Sequence, residues 1–137
     1  MRRSLLVLVG GTAFLATLTI GGVTIAGSAT VTPTKTVTIT ASGCPGGKKF
    51  CFAPAVLMVP PSTKVTWKNN TKVPHTVTRC TVPMCGVKGG TGTDPNLRSP
   101  LINTGRTLSF TFHHPGTYVY YCQVHGYVVM HGIVTVT

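Results

Sequence analysis

Carboxylates are almost absent from this chain. Asp94 is the only aspartate or glutamate in 137 residues, against 12 lysines and arginines. The formal charge is +11, or +9 once Arg2 and Arg3 are set aside. A chain with one carboxylate changes charge little between neutral and low pH, so carboxylate-driven acid denaturation is largely excluded. An acidic habitat is one reading of that composition, and unfolding at mildly acidic pH would refute it. Charged residues make up only 9% of the chain. The basic ones are scattered, Lys48-Lys49 being the only adjacent pair beyond the N-terminus, and no nucleic-acid motif accompanies them. The plain reading is a soluble exported protein with a positive surface and no nucleic-acid partner. The sharper reading is an anionic docking partner steered by long-range charge.

Long apolar runs are missing everywhere except at the start. Met1-Arg2-Arg3 is a positive beginning, and no charge follows from Ser4 to Thr34. Leu5 to Val9, Ala13 to Leu18 and Ile20 to Ala26 form an apolar body that ends in the small residues Ala26, Gly27, Ser28 and Ala29. Residues 1–29 therefore read as a secretory signal peptide cleaved near Ala29. The stretch is also long enough for an uncleaved membrane anchor, which needs about 20 residues. Either way residues 30–137 form one exported domain: periplasmic, extracellular or on the outer face of the cytoplasmic membrane. The arginine pair is too little for a twin-arginine signal. Ala41-Ser42-Gly43-Cys44 lies too far past the apolar run for a lipoprotein box.

No mature segment shows a convincing helical period. Thr34 to Thr40 alternates threonine with Val37 and Ile39, which predicts a strand. Ala55 to Val59, Lys64 to Lys68, His75 to Arg79, Arg106 to Phe112, Thr117 to Cys122 and His131 to Thr137 read as further strands. Asn69-Asn70 and His113-His114-Pro115-Gly116 read as turns. Cys44 to Cys51 is a Gly, Pro and Lys loop, and Cys80 to Gly105 is a long loop without periodicity. Seven to eight short strands and no internal repeat predict an all-β Greek-key β-sandwich.

Five cysteines leave one over. In an oxidising compartment neighbouring pairs can close disulfides. Sequence leaves the connectivity open; the local pairing Cys44–Cys51 and Cys80–Cys85 is the one expected, with Cys122 a free thiol. An odd cysteine can be a small buried hydrophobe, but Cys122 has company in the spacing Cys122-x2-His125-x4-Met130. His75 lies well upstream. One thiolate, two imidazoles and a thioether are the ligands of a mononuclear blue-copper electron-transfer site. Soft sulfur ligands favour Cu(I), and imidazole suits both oxidation states. His131 follows Met130 directly and could stand in for it. His113 and His114 read as solvated, Met58 and Met84 as core and loop residues, and Trp67, Tyr118, Tyr120 and Tyr121 mainly as packing.

These pieces, in this order, resemble the cupredoxins, the plastocyanin-like branch especially. The resemblance covers most of residues 34–137. It rests on Pro61-Ser62-Thr63-Lys64-Val65-Thr66-Trp67-Lys68-Asn69, on Pro74-His75-Thr76-Val77, on Pro115-Gly116-Thr117-Tyr118-Val119-Tyr120-Tyr121-Cys122, and on the Cys-x2-His-x4-Met spacing. It implies a cupredoxin-like sandwich with one copper ion. Cys122, His75 and His125 would be equatorial ligands and Met130 the long axial one. It also implies an apolar docking patch around His125, supplied by Gly126, Tyr127, Val128 and Val129, for redox proteins in brief encounters. Three features depart from the pattern. Thr76 stands where many such proteins have an asparagine tying the two ligand segments together. Acidic patches cannot form. The Cys80–Gly105 loop is an addition.

The implied function is a monomeric one-electron carrier rather than an enzyme. Catalytic relatives need further copper centres, and only His113, His114 and His131 are spare. A copper-binding or copper-delivery protein without redox shuttling is the alternative, although exposed Met- and His-rich segments are lacking. A sandwich that has lost copper is the third class, and the intact ligand set opposes it.

Overall fold

A computed structural model of the chain describes residues 31–80, 85, 90–94 and 97–137. The signal or anchor expected over 1–29 lies outside them. Among the described residues eight strands form: β1 (Thr34–Thr40), β2 (Cys51–Ala53), β3 (Val56–Val59), β4 (Thr63–Asn69), β5 (Thr78–Arg79), β6 (Thr107–Phe112), β7 (Gly116–Tyr121) and β8 (His131–Val136). They make two four-stranded sheets, ordered β2-β1-β4-β6 and β3-β8-β7-β5. β1 runs parallel to β4 and β3 parallel to β8; the remaining pairs are antiparallel. Among the described residues the only helical feature is a short 3-10 turn at Pro45–Gly47. None of their helices is long and apolar enough to cross a membrane.

Period-2 patterning sets which side chains face inward. Val37 and Ile39 of β1, Val65 and Trp67 of β4, Phe112 of β6 and Tyr118 and Tyr120 of β7 are all buried in one core. Trp67 stands edge-on to Tyr120, ring centroids 5.4 Å apart. β7 is buried on both faces: Val119 and Tyr121 point outward but pack with Cys80, Cys85, Tyr127 and Ile133. That second small cluster lies directly behind the strand leading to Cys122.

Two strands differ from expectation. β2 was hidden in the tail of a loop, because only three residues pair, at the register Thr38↔Ala53 to Thr40↔Cys51. The strand read over His75–Arg79 shrinks to Thr78–Arg79. Its first part pairs instead with the long loop, through His75↔Ile102, and Thr78 of β5 also bridges to Arg98. The described part of that loop is well anchored. Ser99 Oγ accepts the Val77 N–H (2.7 Å), and the Leu97 carbonyl accepts the Arg79 N–H (2.7 Å).

Asp94 is the loop's hub and is 1% exposed. Its carboxylate accepts the Tyr118 hydroxyl (2.8 Å) and the backbone N–H groups of His113 (2.8 Å) and His114 (3.1 Å). It also pairs with His114 Nδ1 at 2.7 Å. These bonds outweigh the cost of burial and hold its pKa below the usual carboxylate value. His113 and His114 are exposed, as expected of a polar turn, yet both are tied to this one acid. Gly92 and Gly116 allow the loop to lie on β7. Gly116 has φ +145°, and a Cβ there would come within 2.6 Å of the Gly92 Cα.

Candidate metal centre

Cys122 follows β7 directly, and its backbone N–H donates to the Met130 carbonyl (3.0 Å). The chain then turns. The N–H groups of His125 and Gly126 both donate to the Cys122 carbonyl, and the Met130 N–H donates to the Gly126 carbonyl (3.1 Å). Gly126 takes the left-handed conformation this tight loop requires, at φ +79°. Residues 122–130 thus leave β7 and return into β8 as one hydrogen-bonded loop. Three of the four expected site residues sit on it.

His75 is delivered from the other side. It is fully buried, as is Cys122. Both disulfides form as expected, Cys44–Cys51 and Cys80–Cys85, and Cys122 is the free thiol. The Cys122 Sγ lies 3.7 Å from His75 Nδ1 and 3.4 Å from His125 Nδ1. The donor atoms of the three residues all lie within 4.8 Å of one another, and no other such group of three occurs among the described residues. Metal–nitrogen and metal–sulfur bonds of about 2.0–2.3 Å in a trigonal plane separate the donors by about 3.5–4 Å. The donor set and its spacing therefore fit an ion of that size. Met130 is buried beside them, 1% exposed. His131 is turned away: its Nδ1 lies 2.8 Å from the Tyr127 carbonyl, and its ring stacks on Tyr127.

The surrounding groups prepare these side chains for a cation. The Thr76 N–H donates to the Cys122 sulfur (3.4 Å). Thr76 Oγ1 accepts the Gln123 N–H at 2.8 Å. The His75 segment and the Cys122–Met130 loop are thus tied together by threonine, where asparagine was the pattern. His75 Nε2 lies 2.9 Å from Thr71 Oγ1. The Thr71 hydroxyl also faces two acceptors, Asn69 Oδ1 (2.9 Å) and the Val73 carbonyl (3.0 Å). Either can take the hydroxyl proton, leaving the Thr71 oxygen to accept from Nε2–H. Nδ1 then keeps its lone pair toward Cys122. Burial, with the nearby charge of His125, lowers the His75 pKa to about 4. Burial and then the charge of Lys49 also hold His125 below its ordinary value. Both imidazoles are consequently neutral at pH 7, the form that binds metal.

Phe50 is a site residue that the sequence did not reveal. Its ring sits 5.0 Å from the His75 ring and 4.9 Å from the His125 ring, roofing both. A lone aromatic in a Gly, Pro and Lys loop, beside a disulfide cysteine, was the available signal. The apolar surface near His125 is made by Val124, Val128 and Val129, 52%, 82% and 40% exposed. Tyr127, expected in that patch, is half-buried and packs toward the Cys80–Cys85 cluster.

Residues 36–137 match the family model for copper binding proteins of the plastocyanin/azurin family. The chain belongs to that family. It is 29% identical over 80 residues to Amicyanin-alpha from Methylorubrum extorquens, covering 58% of this chain and 60% of that one. It is 38% identical to the chloroplastic plastocyanin of Physcomitrium patens, covering 63% and 50%. The chain thus spans less than two thirds of the length of these two relatives. Against plastocyanin of Sambucus nigra it is 37% identical, covering 64% and 88%. Among solved structures, a purple cupredoxin from Nitrosopumilus maritimus superposes with TM-score 0.57 at 30% identity, covering 74% of this chain and 98% of that one. A copper-containing nitrite reductase from Thermus scotoductus also reaches 0.57 at 26% identity, but the match is 77% of this chain and 22% of the enzyme. The fold is cupredoxin-like and the family's cofactor is copper.

Proposed function

We propose that this chain is an exported, monomeric type 1 copper protein that carries single electrons between redox partners. Cys122, His75 and His125 would be the strong ligands and Met130 the weak axial one. The observation that carries this reading is the free, fully buried Cys122 sulfur set between two imidazole Nδ1 atoms. Bound copper supplies the one-electron Cu(I)/Cu(II) cycle. The chain's own residues do the rest. Phe50, Met130 and the core exclude water from the thiolate. Thr76 and Thr71 fix Cys122 and His75 from opposite sides, which limits rearrangement. His125 is the only one of the three clustered donors that is not buried, so its edge among Val124, Val128 and Val129 is the exit for electrons. Those three valines make a small apolar contact of the kind that suits short-lived redox encounters.

Two disulfides and the apolar residues 1–29 support export, by signal peptide or anchor, to a periplasmic or extracellular location. Apart from His75, Cys122 and His125, no three His, Cys or acidic side chains come together among the described residues. Optical and EPR spectra of the protein with Cu(II), followed by voltammetry, test the proposal. An intense thiolate-to-copper band, blue or purple, with a reversible potential is expected. Colourless binding of Cu(I) alone would instead support copper delivery. Cys122→Ser should abolish the band while leaving the far-UV circular dichroism unchanged, and a retained band refutes the ligand assignment.

A further inference from the structure

The segment Cys44–Cys51 does more than close a small ring. Its base is locked by the Cys44–Cys51 disulfide, and Phe50, next to that base, is seated on both imidazoles. Two exposed lysines are carried with it. Lys48 Nζ donates to the Val128 carbonyl (3.2 Å), in the middle of the apolar surface beside His125. Lys49 Nζ lies 5.5 Å from the centre of the Phe50 ring, itself 4.9 Å from the His125 ring. Lys48 is thus held at the valine patch, and Lys49 beside the Phe50 ring and His125. No carboxylate side chain opposes them, since the chain's only one, Asp94, is buried elsewhere in a bond network.

We propose that Lys48 and Lys49 form an anion-recognising rim beside His125, and that the partner taken there is a redox protein presenting acidic side chains around a small apolar contact. The inference rests on the carrier reading for its purpose, but the rim can be tested without it. The apolar contact gives proximity to His125; the lysines choose the sign of the partner's charge and speed its approach.

The first measurement is NMR of the Cu(I) protein titrated with hexacyanochromate(III), a redox-inert paramagnetic anion. The amides of Lys48, Lys49, Phe50 and His125 should broaden first. Broadening spread evenly over all lysines, or centred on Lys35 and Lys64 at the far end of β1 and β4, overturns the proposal. The second is the rate at which hexacyanoferrate(II) gives one electron to the Cu(II) protein, leaving Cu(I) and hexacyanoferrate(III). Lys48→Glu/Lys49→Glu should slow it about tenfold at low salt, within the range of electrostatic steering. The gap should close as ionic strength rises. Lys35→Glu/Lys64→Glu, with the same net charge, should change it less than about twofold, because most of its effect is screened over that distance. Equal slowing in both pairs, or none in either, refutes a local rim. Binding to phosphatidylglycerol vesicles that broadens the same four amides would assign the rim to a membrane and overturn the protein partner. A wild-type protein with no reversible potential sinks the carrier reading, whatever the lysines do.

Discussion

Replacing Asp94 by alanine removes the only acid in the chain and the centre of its long-loop anchor. Four donors lose their acceptor: the Tyr118 hydroxyl, the N–H groups of His113 and His114, and the His114 ring. They are not lost equally. The Tyr118 hydroxyl lies 2.8 Å from the His114 carbonyl and can turn to it. The His114 side chain is 61% exposed, so its ion pair contributes little. The two backbone donors remain, each bonded to a charged acceptor at about 1.5–3 kcal/mol and only partly replaced by water. About 3 kcal/mol of stability should go, a large share of the 5–15 kcal/mol typical of a domain. The melting temperature should then fall by about 10–20 °C for a domain of this size.

The pH dependence gives the same argument a sign. The folded Asp94 carboxyl titrates below its ordinary value. Its contribution is therefore complete above the unfolded carboxyl pKa near 3.8 and is lost as pH falls through the lower folded value. Wild type and Asp94→Ala should differ by a constant amount from pH 7 to about 4, then converge in stronger acid. Urea melts at each pH measure this, the difference between the two proteins being the readout. A fall in melting temperature of less than about 3 °C, against the 10–20 °C expected, refutes the magnitude. A difference that persists unchanged at pH 2 refutes the electrostatic cause.

Other perturbations test other links. Thr76→Val removes the acceptor of the Gln123 N–H; stability should drop by about 1–2 kcal/mol and copper affinity by about 10–100-fold. Chelator competition checks the affinity, and no change in either quantity removes Thr76 from the tie. In the copper-free protein, His75 titrates near 4 rather than 6.5. The unfolded chain takes that proton first, so stability should fall by roughly 3 kcal/mol as pH drops from about 6.5 to 4; a flat profile contradicts it. The buried Tyr120 OH makes no hydrogen bond of good geometry, only a weak approach to the Trp67 ring N–H, and burial raises its pKa. Tyr120→Phe should be neutral or stabilising by up to about 1 kcal/mol in urea melts, whereas a clear loss reveals a partner.

The strands were legible where one face is buried and the pattern alternates. β1, β4 and β6 follow Val37-x-Ile39, Val65-x-Trp67 and Leu108-x-Phe110-x-Phe112 closely. The thiol and its loop were legible because ligand spacing within one tight turn is a local property. Asp94 was not. Its partners lie 19 to 24 residues away, and nothing in Thr93-Asp94-Pro95 distinguishes a buried acid from a solvated one. Phe50 was missed for the same reason. Its function lies in contacts with residues 25 and 75 positions downstream, across the two sheets.

Thr76 shows how far a family pattern can carry an argument. Reading it as a missing asparagine predicted a tie that was made differently or lost. A shorter side chain suffices here because the Thr76 backbone is already close enough for its N–H to reach the Cys122 sulfur. The hydroxyl then only has to reach the next residue's N–H. What permits that approach is the pairing of the His75 segment with the long loop, at Ile102 and again at Ser99. The loop that appeared an addition to the fold is therefore part of what sets the distance between the two halves of the site. A substitution in the loop should reach the thiolate through Thr76 before it reaches His125, which hangs from the other segment.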